Sequence, residues 1–171
     1  MNRTLACAVL VAALGSAVMA SSAMAMVRGF PMENGQLKLP STVDFEPGSA
    51  TLKPESETAL SHVAAFMSDK PYVTALRIEG HTDGAGHADV ELELSTARAH
   101  SVARWLVHHG VSCSRLIPVG FGATKPMNDG STPEGRAANR RITFVPAAMK
   151  GRAIGGMPLD GGGQVSDACE P

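Results

Sequence analysis

A chain of 171 residues, 44% hydrophobic and 18% charged, is long enough for one packed domain with extensions and has the composition of an ordinary globular core. Fifteen basic residues against sixteen acidic ones leave a formal charge of −1, so there is no broad electrostatic footprint for DNA or RNA. Nucleic acid is not an expected partner.

The N-terminus opens with a short basic stretch, MNRT, followed by the apolar run LACAVLVAALGSAVMA and a small-x-small pattern at Ala23-Met24-Ala25. Residues 1–25 therefore read as a secretory signal peptide, cut to leave Met26. An uncleaved anchor is the alternative, because no charge falls between Arg3 and Arg28, and only then does the chain contact a membrane. Cys7 stands at the start of the apolar run instead of ending it, the wrong place for a lipid anchor. Cys113 and Cys169 would enter a compartment that permits disulfides; a bridge and two free thiols both stay open.

Residues 26–41, with Gly29, Pro31, Gly35 and Pro40 and no sustained period, read as a flexible leader. Val43 to Phe45 is a short strand candidate, closed by the turn signal Glu46-Pro47-Gly48-Ser49. Pro54 suits a first helical turn, and Ala59, Leu60, Val63, Ala64 and Met67 recur at helical spacing. Val73 to Glu79 alternates as a strand, Leu76 and Ile78 on one face, Arg77 and Glu79 on the other. A second helix is predicted from Asp89 to His109, with Leu92, Ala99, Val102, Ala103 and Leu106 as its buried stripe and Gly110 as its stop; Trp105 reads as core. Leu116 to Val119 is a third strand, Thr132-Pro133-Glu134 starts a short helix, and Arg141 to Val145 is a last strand.

This order predicts an α+β fold of two layers, with helices on one face of a mixed four-stranded sheet in β-α-β-α-β-(α)-β order. The first three strands are expected to lie parallel. The domain is bounded at 42–146, and residues 147–171, rich in glycine, read as a flexible tail.

His81, Thr82 and Asp83 stand in a glycine-rich loop, 81–87, between a strand's C-terminal end and the next helix, a common place for ligands. Glu91, Ser95, Arg98 and Val102 share a helix face, and the Arg98 side chain leans back toward that loop. A carboxylate at Asp83 and a guanidinium at Arg98 complement a zwitterion, the first accepting from an ammonium and the second gripping a carboxylate. A plain surface ion pair fits the same spacing. His81, Asp83 and His87 lack the preset pitch of a zinc motif, and Asp83 with Glu91 or Glu93 is the candidate acid/base pair for hydrolysis. No nucleophile motif appears, so neither enzyme activity nor a metal or other cofactor is expected. Arg136, Arg140 and Arg141 cluster near the domain's end, facing either an anion or solvent.

The segments FEPGSATLKPE (45–55), EGHTDGAG (79–86), LSTARAHSV (94–102), GFGATKP (120–126) and GRAANRRITF (135–144) resemble, in order, the motifs of the OmpA-like peptidoglycan-binding domain. This domain is shared by outer-membrane protein A, the peptidoglycan-associated lipoprotein and the flagellar stator. The resemblance implies non-covalent binding of the peptide stem through diaminopimelate, in the periplasm or cell envelope, with a tethering role. It assigns the ammonium to Asp83 and the carboxylate to Arg98, with Thr82, Ser95 and Arg140 in the binding set. Val90-Glu91 replaces the family's Tyr-Asn, and that added charge favours the alternative: a periplasmic module that has lost wall binding and docks envelope proteins instead.

Overall fold

The computed structural model describes residues 29–156 and 158–170. The expected signal peptide, 1–25, lies outside the described residues. The leader, expected to be flexible, instead forms a hairpin between β1 (Met32–Glu33) and β2 (Gln36–Leu37). Its turn is Asn34-Gly35, with φ of 50° and 78°. Asn-Gly is the pair that tolerates the two left-handed residues of a tight hairpin, and that signal was legible in the sequence. Burial of Leu37 against the main core holds the hairpin in place.

The strand expected at 43–45 is not part of the sheet. Phe45 makes only an isolated bridge to Leu52, because the Glu46–Ser49 turn folds the chain back on itself. The Asp44 backbone N–H donates to Ser56 Oγ, and that hydroxyl donates back to Asp44 O, fastening the lead-in to the next helix. Only two of the three strands expected to be parallel are so.

Helix α1 (Glu57–Asp69) follows a single tight turn at Pro54–Ser56 and buries Ala59, Leu60, Val63, Phe66 and Met67. Its last carbonyls would be orphaned, but the Arg115 guanidinium reaches across to donate to Met67 O and Lys70 O, and also to Val73 O. Strand β3 (Val73–His81) is central: it pairs parallel with β4 (Leu116–Gly120) and antiparallel with β5 (Arg141–Met149). Between them run α2 (Ala88–His108) and α3 (Pro133–Asn139), the latter capped by Thr132 Oγ1 accepting from the Gly135 N–H. Leu76 and Ile78 meet Val102, Leu106 and Phe144 in one core. Trp105 sits at the edge of that core and is only partly buried.

A flexible tail is expected over 147–171, but its described residues, 147–156 and 158–170, close both edges of the sheet. With β6 (Arg152–Ala153) and β7 (Gln164–Val165) the order becomes β6-β5-β3-β4-β7, five strands rather than four. The physical reason lies in specific anchors. The backbone at 164–165 pairs with Val119–Gly120, Ser166 N–H donates to Pro118 O, Ala168 enters the core and Cys169 is disulfide-bonded to Cys113. Glycine permits this close fit: a Cβ at Gly163 would stand 2.4 Å from Val119 Cγ1.

The tail also covers the second face of the sheet. Arg77, Glu79 and His81, which the alternation of β3 turns away from the helices, are buried. Arg77 donates from Nε to Glu79 Oε1 at 2.6 Å and from Nη1 to Leu159 O, and Thr143 Oγ1 donates to Glu79 Oε2. The His81 ring stacks on Phe121, with Nε2 3.5 Å from Glu79 Oε2.

Burial pushes the His81 imidazole below its ordinary value; the Glu79 carboxylate opposes this, and the Arg141 and Lys125 charges add to it. The Glu79 carboxyl, which burial alone would raise, is held at about 2 by its contacts with His81 and Arg77 and by the Arg77 charge. As pH falls below 6.5 the unfolded chain binds a proton at His81 before the native one does, so stability declines. Glu79 adds a second loss between 4.5 and about 2. The melting temperature of wild type should fall between pH 6.5 and 5, and that slope should flatten in His81→Gln. Parallel slopes would remove His81 as its source.

Candidate functional site

Strand β3 runs two residues further than its alternation predicts, so His81 ends the strand and the loop is 82–87. His81 points into the buried network just described rather than into that loop. The Thr82 N–H donates to Gly122 O, joining the loop to the end of β4, while its buried Oγ1 has no hydrogen-bond partner. Asp83 follows. Its Oδ2 accepts from Arg140 Nη1 at 2.5 Å and its Oδ1 from the Ala85 N–H. Partial burial would raise the Asp83 carboxyl, but the Arg140 and Ala85 hydrogen bonds outweigh it and hold the group below the usual range. Asp83 is therefore an anion at neutral pH.

Arg98 lies on α2, as its spacing predicts, but it does not bond Asp83 directly. Its Nε donates to Ser49 O at 2.9 Å and its guanidinium lies over the Phe45 ring, 5.0 Å from the centroid. The terminal nitrogens of Arg98 bond no described residue. Burial lowers the guanidinium's ordinary value and the charge of Arg140 lowers it further, while the charges of Glu91 and Asp83 favour its ionised form. These four side chains thus share one electrostatic neighbourhood.

Ser95, expected among the ligand contacts, is wholly buried: its hydroxyl donates to Leu92 O and accepts from the Gly122 N–H. It positions the end of β4 and is not presented to a ligand. Glu91 also has a local task, Oε1 accepting from the Gly86 N–H and bracing the loop. Of the three clustered arginines only Arg140 reaches the site; Arg136 bonds Gly130 O and Ser131 O, and Arg141 bonds Asn139 O and Lys125 O. Among the described residues no three His, Cys, Asp or Glu side chains converge for a metal, and no helix is long and apolar enough to cross a membrane.

A cleft of about 530 Å³ opens in front of Arg98 and Arg140, its other walls formed by Val43, Asp44, Phe45, Pro47, Gly48 and Ala137. The lead-in contributes half of this site, which the spacing argument from loop and helix alone did not foresee. A cleft with a free guanidinium fork and an adjacent carboxylate suits a small zwitterion.

A family model described as "OmpA family" matches residues 44–140, more than half of the chain. The chain belongs to the OmpA family. Among curated relatives it is 41% identical over 113 residues to the probable lipoprotein YiaD of Escherichia coli, covering 66% of this chain and 51% of that protein. It is 36% identical over 103 residues to the peptidoglycan-binding protein ArfA of Mycobacterium tuberculosis, covering 60% of this chain and 31% of ArfA. The chain thus spans about half or less of these relatives. Among solved structures, the peptidoglycan-associated lipoprotein of Burkholderia pseudomallei superposes with a TM-score of 0.57 at 29% identity, covering 63% of this chain and 89% of that one. A MotB-like protein of Desulfovibrio vulgaris gives 0.56 at 29%, covering 64% and 70%. For an OmpA-family chain the two-layer α+β arrangement is the expected one, and the hairpin β1–β2 and the segment carrying β6 and β7 lie outside the matched residues.

Proposed function

We propose that this chain binds cell-wall peptidoglycan non-covalently in the periplasm, as an envelope tether, by holding the free end of diaminopimelate in the stem peptide. The observation that carries this reading is an open cleft faced by the unbonded Arg98 fork and by Arg140, the hydrogen-bond partner of the Asp83 carboxylate. Arg98 takes the carboxylate of the ligand and Asp83 its ammonium, so Arg140 gives up its place on Asp83 when the ligand enters. Thr82, whose buried hydroxyl is unpartnered, precedes Asp83 in the loop. The peptidoglycan-binding relative and the lipoprotein neighbour support the assignment.

Asp83→Ala or Arg98→Ala leaves one charge of the ligand unpaired, at a cost of about 2 kcal/mol or more, roughly 30-fold in affinity. Cosedimentation of purified protein with sacculi should therefore drop sharply in both variants, and free diaminopimelate should compete with wild type. Undiminished cosedimentation of both variants would refute the assignment.

A further inference from the structure

The two ends of β3 are chemically unlike. The loop at 82–87 leaves its C-terminal end, while Pro71 and Tyr72 lead into the opposite end, roughly 25 Å away at about 3.3 Å per residue. At that far end, main-chain contacts tie short segments together. The Lys150 N–H donates to Tyr72 O, Met149 pairs with Arg152 across β5 and β6, and the Ile154 N–H donates to Ala147 O. Tyr72, Met149 and Ile154 thereby share one neighbourhood, and they are 43%, 41% and 42% exposed. Single exposed apolar side chains are ordinary on a surface, but three on adjoining segments make a patch.

The charges around this patch have one dominant sign. Residues 69–74 and 149–154 carry Lys70, Lys150 and Arg152 against Asp69 alone. Arg115 adds a fourth cation, its guanidinium donating to Lys70 O and Val73 O. The whole chain is close to neutral at −1, so the positive balance is local to this end. The N-terminal path arrives at the same place. The Phe30 ring stands edge-on to Phe66, with centroids 5.5 Å apart, and Lys70 Nζ lies 6.0 Å from its centroid. The segment before Gly29, which includes the apolar run, therefore joins the described fold beside the patch.

We infer that this end of the domain docks on an anionic lipid surface, the phospholipid face of an envelope membrane. Tyr72, Met149 and Ile154 enter the headgroup layer while Lys70, Lys150 and Arg152 pair with lipid phosphates, as in other peripheral membrane contacts. Charge decides for lipid over a second copy of this chain, because two such basic ends placed face to face repel. Docked in this way, the domain points the 82–87 loop away from the membrane and toward the wall. That orientation rests on the peptidoglycan reading above, whereas the lipid contact stands without it.

The test is cosedimentation of the chain from Met26, which contains every described element and lacks the apolar run, with vesicles of phosphatidylglycerol and phosphatidylethanolamine or of phosphatidylcholine. Partition onto the anionic vesicles should exceed that onto the neutral ones by about tenfold or more at low salt, and should fall as salt rises. The double variant Lys150→Glu, Arg152→Glu should lose that preference while keeping the wild-type melting temperature and sacculus binding, and the neutral pair Lys150→Gln, Arg152→Gln should lie between. Equal partition onto the two vesicle types, or full binding by the charge-reversed variant, would overturn the lipid contact. So would a dimer in sedimentation velocity that Met149→Ser with Ile154→Ser abolishes, since the face would then belong to a second copy. Sacculus binding by wild type bears only on the Asp83 and Arg98 reading, so the two can fail separately.

Discussion

Gly80→Ala is expected to lower stability by about 3 kcal/mol or more, the upper range for overpacking, and to weaken binding as well. A Cβ at this position would lie 2.2 Å from Ser95 O and 2.9 Å from Ser95 C. Those are backbone atoms in the middle of α2, so no rotamer change relieves the clash and the helix itself must move. Gly120, the partner of Gly80 across the β3–β4 ladder, is equally tight, 2.1 Å from Thr96 Oγ1 and 2.6 Å from Thr96 N. The two glycines let one helix lie directly on the two parallel strands at the end where the loop emerges. Lifting α2 there displaces Ser95 from Gly122, and with it the tie between Gly122 and Thr82. Urea midpoints should show the loss; a Gly80→Ala midpoint indistinguishable from wild type would mean that the close approach is easily relaxed.

Removing the disulfide should have an effect of comparable size. Cys113 and Cys169 are 56 positions apart, and closing a loop of that length lowers the entropy of the unfolded chain enough to stabilise the fold by about 4 kcal/mol. The Cys113→Ser, Cys169→Ser double variant also frees the segment that covers one sheet edge. Hydrogen exchange should therefore rise first at Val119, Gly120 and Val165, where β4 and β7 pair, before it rises in β3. If the double variant loses less than about 1 kcal/mol, the anchors at Ser166 and Ala168 suffice and the covalent tie is secondary.

Much of the site was legible because its parts are local in the chain. The helical spacing of Arg98, the strand leading into the loop, and the position of Asp83 after it are short-range patterns, and the structure keeps all three, with the strand two residues longer than its alternation says. The direct partner of Asp83 was not legible: Arg140 arrives from 57 residues away, through the turn between α3 and β5. Ser95 was misread for a related reason. A serine on the helix face shared with Arg98 is a plausible ligand contact until Gly122, 27 residues later, is folded against its hydroxyl.

The sequence by itself determined the helices, the three long strands and the charge types offered at the loop, since apolar periodicity and capping chemistry act within a few residues. Tertiary structure alone decided which charges pair, that the glycine-rich C-terminal segment is a strap rather than a loose end, and that Arg77 and Glu79 are buried. Those outcomes depend on contacts such as Arg77 with Leu159 and Val119 with Val165, between groups far apart along the chain. Glycine composition reports backbone freedom, and whether that freedom becomes mobility or a close fit is settled by the surface the segment meets.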